Sequence, residues 1–119
     1  MDEPGADRIA DIFDDAQHTT FIHAITLGEV YYDTHRFSGV ETAQQVLTDI
    51  PNLPVTVVRD LSNTLLTNAG NFKATHRISY ADAFVLALAQ QHGGSVVTSD
   101  HHEFDPIAEE TSLTFFWIR

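Results

Sequence analysis

Cysteine is absent from this chain of 119 residues, which excludes disulfides and thiolate metal sites. Long apolar runs are absent too; none approaches the roughly 18 residues of a membrane span. The opening MDEPGADR lacks the basic and apolar regions of a signal peptide, so the expectation is a cytoplasmic protein with no membrane contact. Positive charge is scarce, with 6 Lys and Arg against 17 Asp and Glu and a net charge of -11. Such a surface repels nucleic acid unless a metal or local basic residues intervene, and it favours a basic partner. No phosphate loop, GxGxxG or nucleophile elbow occurs. No internal repeat or linker divides the chain. A 43% apolar fraction fits one modest core and a single domain over 1–119, with 1–5 frayed.

What is present is alternation. Ile9, Ile12, Phe13 and Ala16 recur at helical spacing and predict a helix over Ala6 to Ala16 with its acids toward solvent. Thr20 to Ala24 reads as a short strand. Thr26-Leu27-Gly28-Glu29 has the form of a capping box and predicts a helix starting there. Ser38-Gly39 breaks that helix, and Glu41 to Thr48 begins another. Val55 to Val58 is β-branched or Thr throughout and reads as a strand after the Pro51–Pro54 turn. Leu61 to Thr75 is expected to be helical, with Gly70 a point of interruption. Ser79-Tyr80-Ala81-Asp82 is a second capping box, before a mostly apolar helix over Ala83 to Gln91 that Gly93-Gly94 ends. Ser95 to Thr98 and Leu113 to Ile118 are further strands, separated by a polar turn near Pro106. Strands alternating with helices predict an α/β fold with a parallel sheet covered on both faces.

Three carboxylates stand out. Glu29, Asp82 and Asp100 each fall just beyond a strand or at a helix start, the edge at which open α/β sheets bind ligands. Oxygen ligands from several segments suit Mg²⁺ or Mn²⁺. A simpler account exists for two of them, since Glu29 and Asp82 could each cap their own helix. Asp100 and Glu103 could likewise cap a short turn. Thr98 and Ser99, beside Asp100, could orient substrate or water, or could merely form the turn. Lys73, His76 and Arg77 could contact a phosphate near the acidic edge, or be solvated loop charges. His101-His102 reads as solvent-facing, and His23 as a satisfied, partly buried histidine. Tyr31, Tyr32 and Phe37 read as core or a subunit interface.

These residues carry a resemblance. FIHAITLGEVYY, ISYADAFVLALA and VVTSDHHEF, in that order and with NFKATHR as a basic lead-in, resemble a PIN domain of the VapC type, the toxin ribonucleases of toxin–antitoxin pairs. Glu29, Asp82 and Asp100 match acidic positions of that family, and Phe104 the aromatic after the last. The resemblance implies a PIN-like three-layer fold with a mostly parallel central sheet. It implies Mg²⁺- or Mn²⁺-dependent RNA hydrolysis, with Glu29, Asp82 and Asp100 as metal ligands and catalytic residues. Thr98, Ser99, Lys73 and Arg77 are then the substrate-contact candidates. Homodimerisation and an antitoxin partner with a basic or amphipathic tail are also implied.

One departure bears on activity. The family opens with a short apolar strand and an aspartate, in a pattern like LLDTNV, and nothing here resembles it. Asp2 and Asp7 lie on the wrong kind of element to replace that aspartate. The first central strand is therefore expected to be missing, either because the chain starts downstream of it or because it is a degenerate member. Nuclease activity is expected to be impaired. The alternatives are a catalytically inactive PIN-like module that binds a partner protein such as an antitoxin, and a phospho-acceptor domain. The second of these lacks a lysine in the late strand–loop region.

Overall fold

The structure is a computed structural model and describes residues 8, 10–12, 19–98 and 101–117. Strand β1 (Thr20–His23) leads directly into helix α1 (Ala24–Ser38). Helix α2 (Val40–Asp49), a 3₁₀ turn (Ile50–Asn52) and strand β2 (Val55–Val58) follow. Then come α3 (Asn63–Thr75), α4 (Tyr80–His92), β3 (Ser95–Thr98), α5 (His101–Glu110) and β4 (Thr114–Trp117). Of the expected first helix, residues 8 and 10–12 are described and helical; the rest lies outside the described residues.

The strands pair in parallel, β1 with β2 from Thr20↔Val55 to His23↔Val58, and β3 with β4 from Ser95↔Thr114 to Thr98↔Trp117. Among the described residues the two pairs do not join. The mostly parallel central sheet, expected with its first strand missing, is among these residues two parallel sheets of two strands. Among the described residues the first strand begins at Thr20, as in a chain lacking a strand between the two halves. Parallel pairs this small need cover from helices. That cover is α4, which packs against β1 and β3 and also against α1 and α3.

The sequence of α4 explains its central place. Ala81, Ala83, Phe84, Leu86, Ala87 and Leu88 are all buried, so apolar side chains cover most of its circumference, as in a helix enclosed by its neighbours. Ser79 caps it, its hydroxyl accepting from the Asp82 N–H at 3.1 Å. Gly93 ends it with φ 61°, a left-handed conformation that glycine adopts without steric penalty. Leu65 and Ala69 of α3, Val96 of β3, and Phe104 and Ile107 of α5 complete the core around it.

Several local expectations change. Helix α1 starts at Ala24, not after Thr26, because His23 is its N-cap: Nδ1 accepts from the Ile25 N–H at 3.0 Å. The same ring donates from Nε2 to the Asp60 carbonyl at 2.9 Å and stacks on Phe84 with centroids 4.9 Å apart. His23 is thus a satisfied core histidine, 1% exposed. Gly70 does not interrupt α3. The polar turn expected near Pro106 is the ten-residue helix α5, with Pro106 inside it. Tyr32 and Phe37 are exposed and not core; the Arg36 guanidinium lies over both rings, at 5.7 and 5.1 Å. His101 is exposed as expected, its Nδ1 2.9 Å from Asp105 Oδ1 and its ring 4.0 Å from that of Trp117.

Candidate active site

Because α1 begins at Ala24, Glu29 is not three residues past its cap. The capping account of Glu29 therefore fails: it lies in the second turn, past the orphan N–H groups a cap would satisfy. Asp82 does occupy the capping position on α4, yet capping does not exhaust its role. Its carboxyl also lies close enough to that of Glu103, which the first turn of α5 carries, for the two to interact electrostatically. Three helices thus bring Glu29, Asp82 and Glu103 into one electrostatic neighbourhood.

The protonation behaviour reflects that crowding. Burial pushes the Asp82 carboxyl up to about 6, and the neighbouring Glu103 and Glu29 carboxylates act in the same direction. A hydrogen bond from the Ser79 side chain opposes them without prevailing. Burial also raises Glu29, helped by Asp33 and Glu103. Close by in sequence, Thr26 stands one turn before Glu29 on α1, where i and i+3 share a face. Its buried Oγ1 has no hydrogen-bond partner among the described residues, and a water at that position would satisfy it.

Of the sequence-derived candidates, Glu29 and Asp82 are brought together, whereas Ser99 and Asp100 lie outside the described residues. Thr98 ends β3 and is half-buried. The Lys73 ammonium donates to the Ile78 carbonyl at 2.8 Å and lies 5.6 Å from the Tyr80 ring centre, so it braces the α3–α4 connection. Arg77 is exposed on that connection. Glu103 is the member that sequence reasoning did not select. A helix starting at His101 would have placed it in a first turn beside Asp82, but Pro106 and the polar run disguised that helix as a turn.

Among the described residues, no three His, Cys, Asp or Glu side chains are gathered tightly enough to hold an ion as they stand. The donor chemistry nonetheless fits a hard divalent cation. All three groups are oxygen donors, they are partly buried, and their mutual repulsion is what a cation between them would relieve.

The sequence profile of the PIN domain matches residues 1–110, and the chain belongs to the PIN domain family. Among curated proteins none matches at a significant level. The fold is similar to three solved structures. VapBC-1 from nontypeable Haemophilus influenzae has a TM-score of 0.68 at 15% identity, over 96% of this chain and 84% of that one. A toxin–antitoxin complex from Klebsiella pneumoniae has a TM-score of 0.65 at 16% identity, over 99% and 87%. DNA-bound VapBC from Salmonella typhimurium has a TM-score of 0.71 at 19% identity, over 99% and 86%. No helix among the described residues is long and apolar enough to cross a membrane.

Proposed function

We propose that this chain is a Mg²⁺- or Mn²⁺-dependent endoribonuclease of a toxin–antitoxin pair, with low activity. The observation that supports this reading is the placing of three partly buried carboxylates, Glu29, Asp82 and Glu103, in one electrostatic neighbourhood, where burial first and the neighbouring acids second raise the proton affinity of Asp82. Family membership supports the reaction class, and the fold it requires is shared with VapBC complexes. Asp82, Glu103 and Glu29 would hold the metal together with Asp100. A divalent ion there would supply Lewis acidity toward a phosphodiester and an activated water. The chain's own part is to fix these carboxylates on three helices, Asp82 and Glu103 in first turns and Glu29 in a second, and to keep Asp82 oriented through Ser79.

Low activity follows from the arrangement. Among the described residues the two β-pairs are unjoined, and the carboxylates are not gathered to ligand distance. The antitoxin would present a basic or amphipathic segment to a protein of net charge -11. The exposed Tyr32 and Phe37 on α1 favour a homodimer contact there. The unjoined sheets also favour a second reading, a non-catalytic module that binds its antitoxin with no metal requirement.

A cleavage assay on single-stranded RNA with Mn²⁺ tests the proposal. Slow, chelator-sensitive cleavage is expected, and Asp82→Asn should reduce it by more than about tenfold to a hundredfold, the loss that follows even when only a group orienting a metal ligand is removed. Cleavage that survives chelation, or that Asp82→Asn leaves unchanged, would contradict it. Absence of cleavage alongside a tight, metal-independent antitoxin complex would establish the second reading.

A further inference from the structure

A threonine on a helix commonly returns its hydroxyl to the carbonyl four residues back. Thr48 donates in this way to Gln44 at 3.0 Å, Thr75 to Asn71 at 2.9 Å, and Thr111, just past α5, to Ile107 at 2.8 Å. Thr26 does not. The residue four before it is Ile22, which belongs to β1 and lies opposite Val57 in the ladder. A strand residue aims its carbonyl across the ladder, not along the axis of the helix that follows. The Thr26 hydroxyl is therefore buried and has no partner, a state that folded proteins seldom leave unanswered.

The face that carries this hydroxyl also carries the acids. At about 100° per residue, Thr26, Glu29 and Asp33 form one stripe along α1. Ala24, Leu27, Gly28 and Tyr31 lie on the opposite side, where they line a groove with Leu47 of α2. Glu29 is partly buried and its carboxyl feels Asp33 and Glu103, so the stripe is turned toward the carboxylate neighbourhood and away from α2. Glu29 also lies past the free N–H groups of the helix start, so the α1 backbone does not orient its carboxylate.

We propose that Thr26 is a positioning residue for the candidate cation site: its hydroxyl, through one ordered water, hydrogen-bonds the Glu29 carboxylate and holds it in the orientation that takes up Mg²⁺ or Mn²⁺. Side chains one turn apart have Cβ atoms about 5–6 Å from each other, a spacing at which one water joins them. The water answers the buried hydroxyl, and the carboxylate gains a hydrogen bond that favours its charged form. Carboxylates that hold a metal are themselves held by hydrogen bonds. The inference rests on the metal-dependent reading above and adds how Glu29 is aimed.

Calorimetric titration with Mn²⁺ of the full chain, of Thr26→Val and of Thr26→Ser tests this, with the metal-free Tm of each chain measured alongside. Valine has nearly the shape and helix propensity of threonine, so it removes the hydroxyl and little else. Thr26→Val should weaken Mn²⁺ binding by about tenfold to a hundredfold. Its metal-free Tm should be no lower than that of the unaltered chain, because exchanging such a hydroxyl for a methyl group of the same shape is close to neutral for folding. Thr26→Ser keeps the hydroxyl and should bind within about threefold of the unaltered chain. Mn²⁺ binding by Thr26→Val within about twofold of the unaltered chain would overturn the inference and leave the cation site standing. So would a serine variant as weak as the valine one, or a valine variant whose metal-free Tm falls along with its affinity, since either marks a packing role. An unaltered chain that takes up no Mn²⁺ overturns the metal-dependent reading and this inference with it.

Discussion

His23→Ala is expected to destabilise the protein by about 3 kcal/mol, read as a shift of the urea unfolding midpoint. Three losses combine. The α1 N-cap disappears, at about 0.5–2 kcal/mol. The Asp60 carbonyl loses its donor, and an unpaired, part-buried acceptor costs about 1–3 kcal/mol. The stack on Phe84 contributes about 0.5–1.5 kcal/mol. These overlap, so the sum lies below their total. His23→Asn should be milder, because Asn is a good cap and its side-chain oxygen could still accept from Ile25. Leu86→Ala, at a site with no exposure, sets the scale at about 2–5 kcal/mol. If His23→Ala unfolds at the same urea concentration as the unaltered protein, the link from β1 through His23 to α4 is not a stabilising one.

Asp82→Asn is expected to act in the opposite direction, making the metal-free protein more stable near neutral pH. The folded state lifts the Asp82 carboxyl from 3.8 to about 6, so the native form holds a proton that the unfolded chain has released. Stability from this group therefore falls as pH rises through that window and stays level above it. Asparagine removes the effect. Asp82 is only about half-buried, so solvent screening reduces the gain to about 1 kcal/mol. Thermal denaturation should show a higher Tm for Asp82→Asn above pH 6 and near-equal values at pH 4. Mn²⁺ should reverse the order, since only the unaltered chain gains stability from binding. A variant that melts below the unaltered chain at every pH would show that Asp82 acts as a cap and little more.

The parts of this fold that follow local rules were legible in the sequence. Ser79 with Asp82 caps α4, Gly93 ends it, and Ser95 to Thr98 forms β3 with the expected bounds. His23 escaped notice as a cap because histidine is not a usual N-cap, and Thr26-x-x-Glu29 offered a more familiar pattern. The misplaced helix start then made Glu29 look like its partner. Pro106 concealed α5, since proline in a helix interior normally breaks it, and Glu103 was concealed with it. The split of the strands into two pairs is a long-range property. The β-branched run at Val55 to Val58 signals a strand but not its neighbour. Hence the elements, their parallel pairing and the absent first strand were readable, the partner of each strand was not, and the acid contributed by α5 was missed for a local reason.

Calorimetric titration with Mn²⁺ tests the central claim most directly, comparing the unaltered chain with Asp82→Asn and Glu103→Gln. The account predicts one saturable binding event for the unaltered chain, accompanied near pH 6 by proton release from Asp82, and its loss in both variants. Binding that persists undiminished in both variants, or no binding by the unaltered chain, would contradict the claim that these carboxylates form a divalent-cation site.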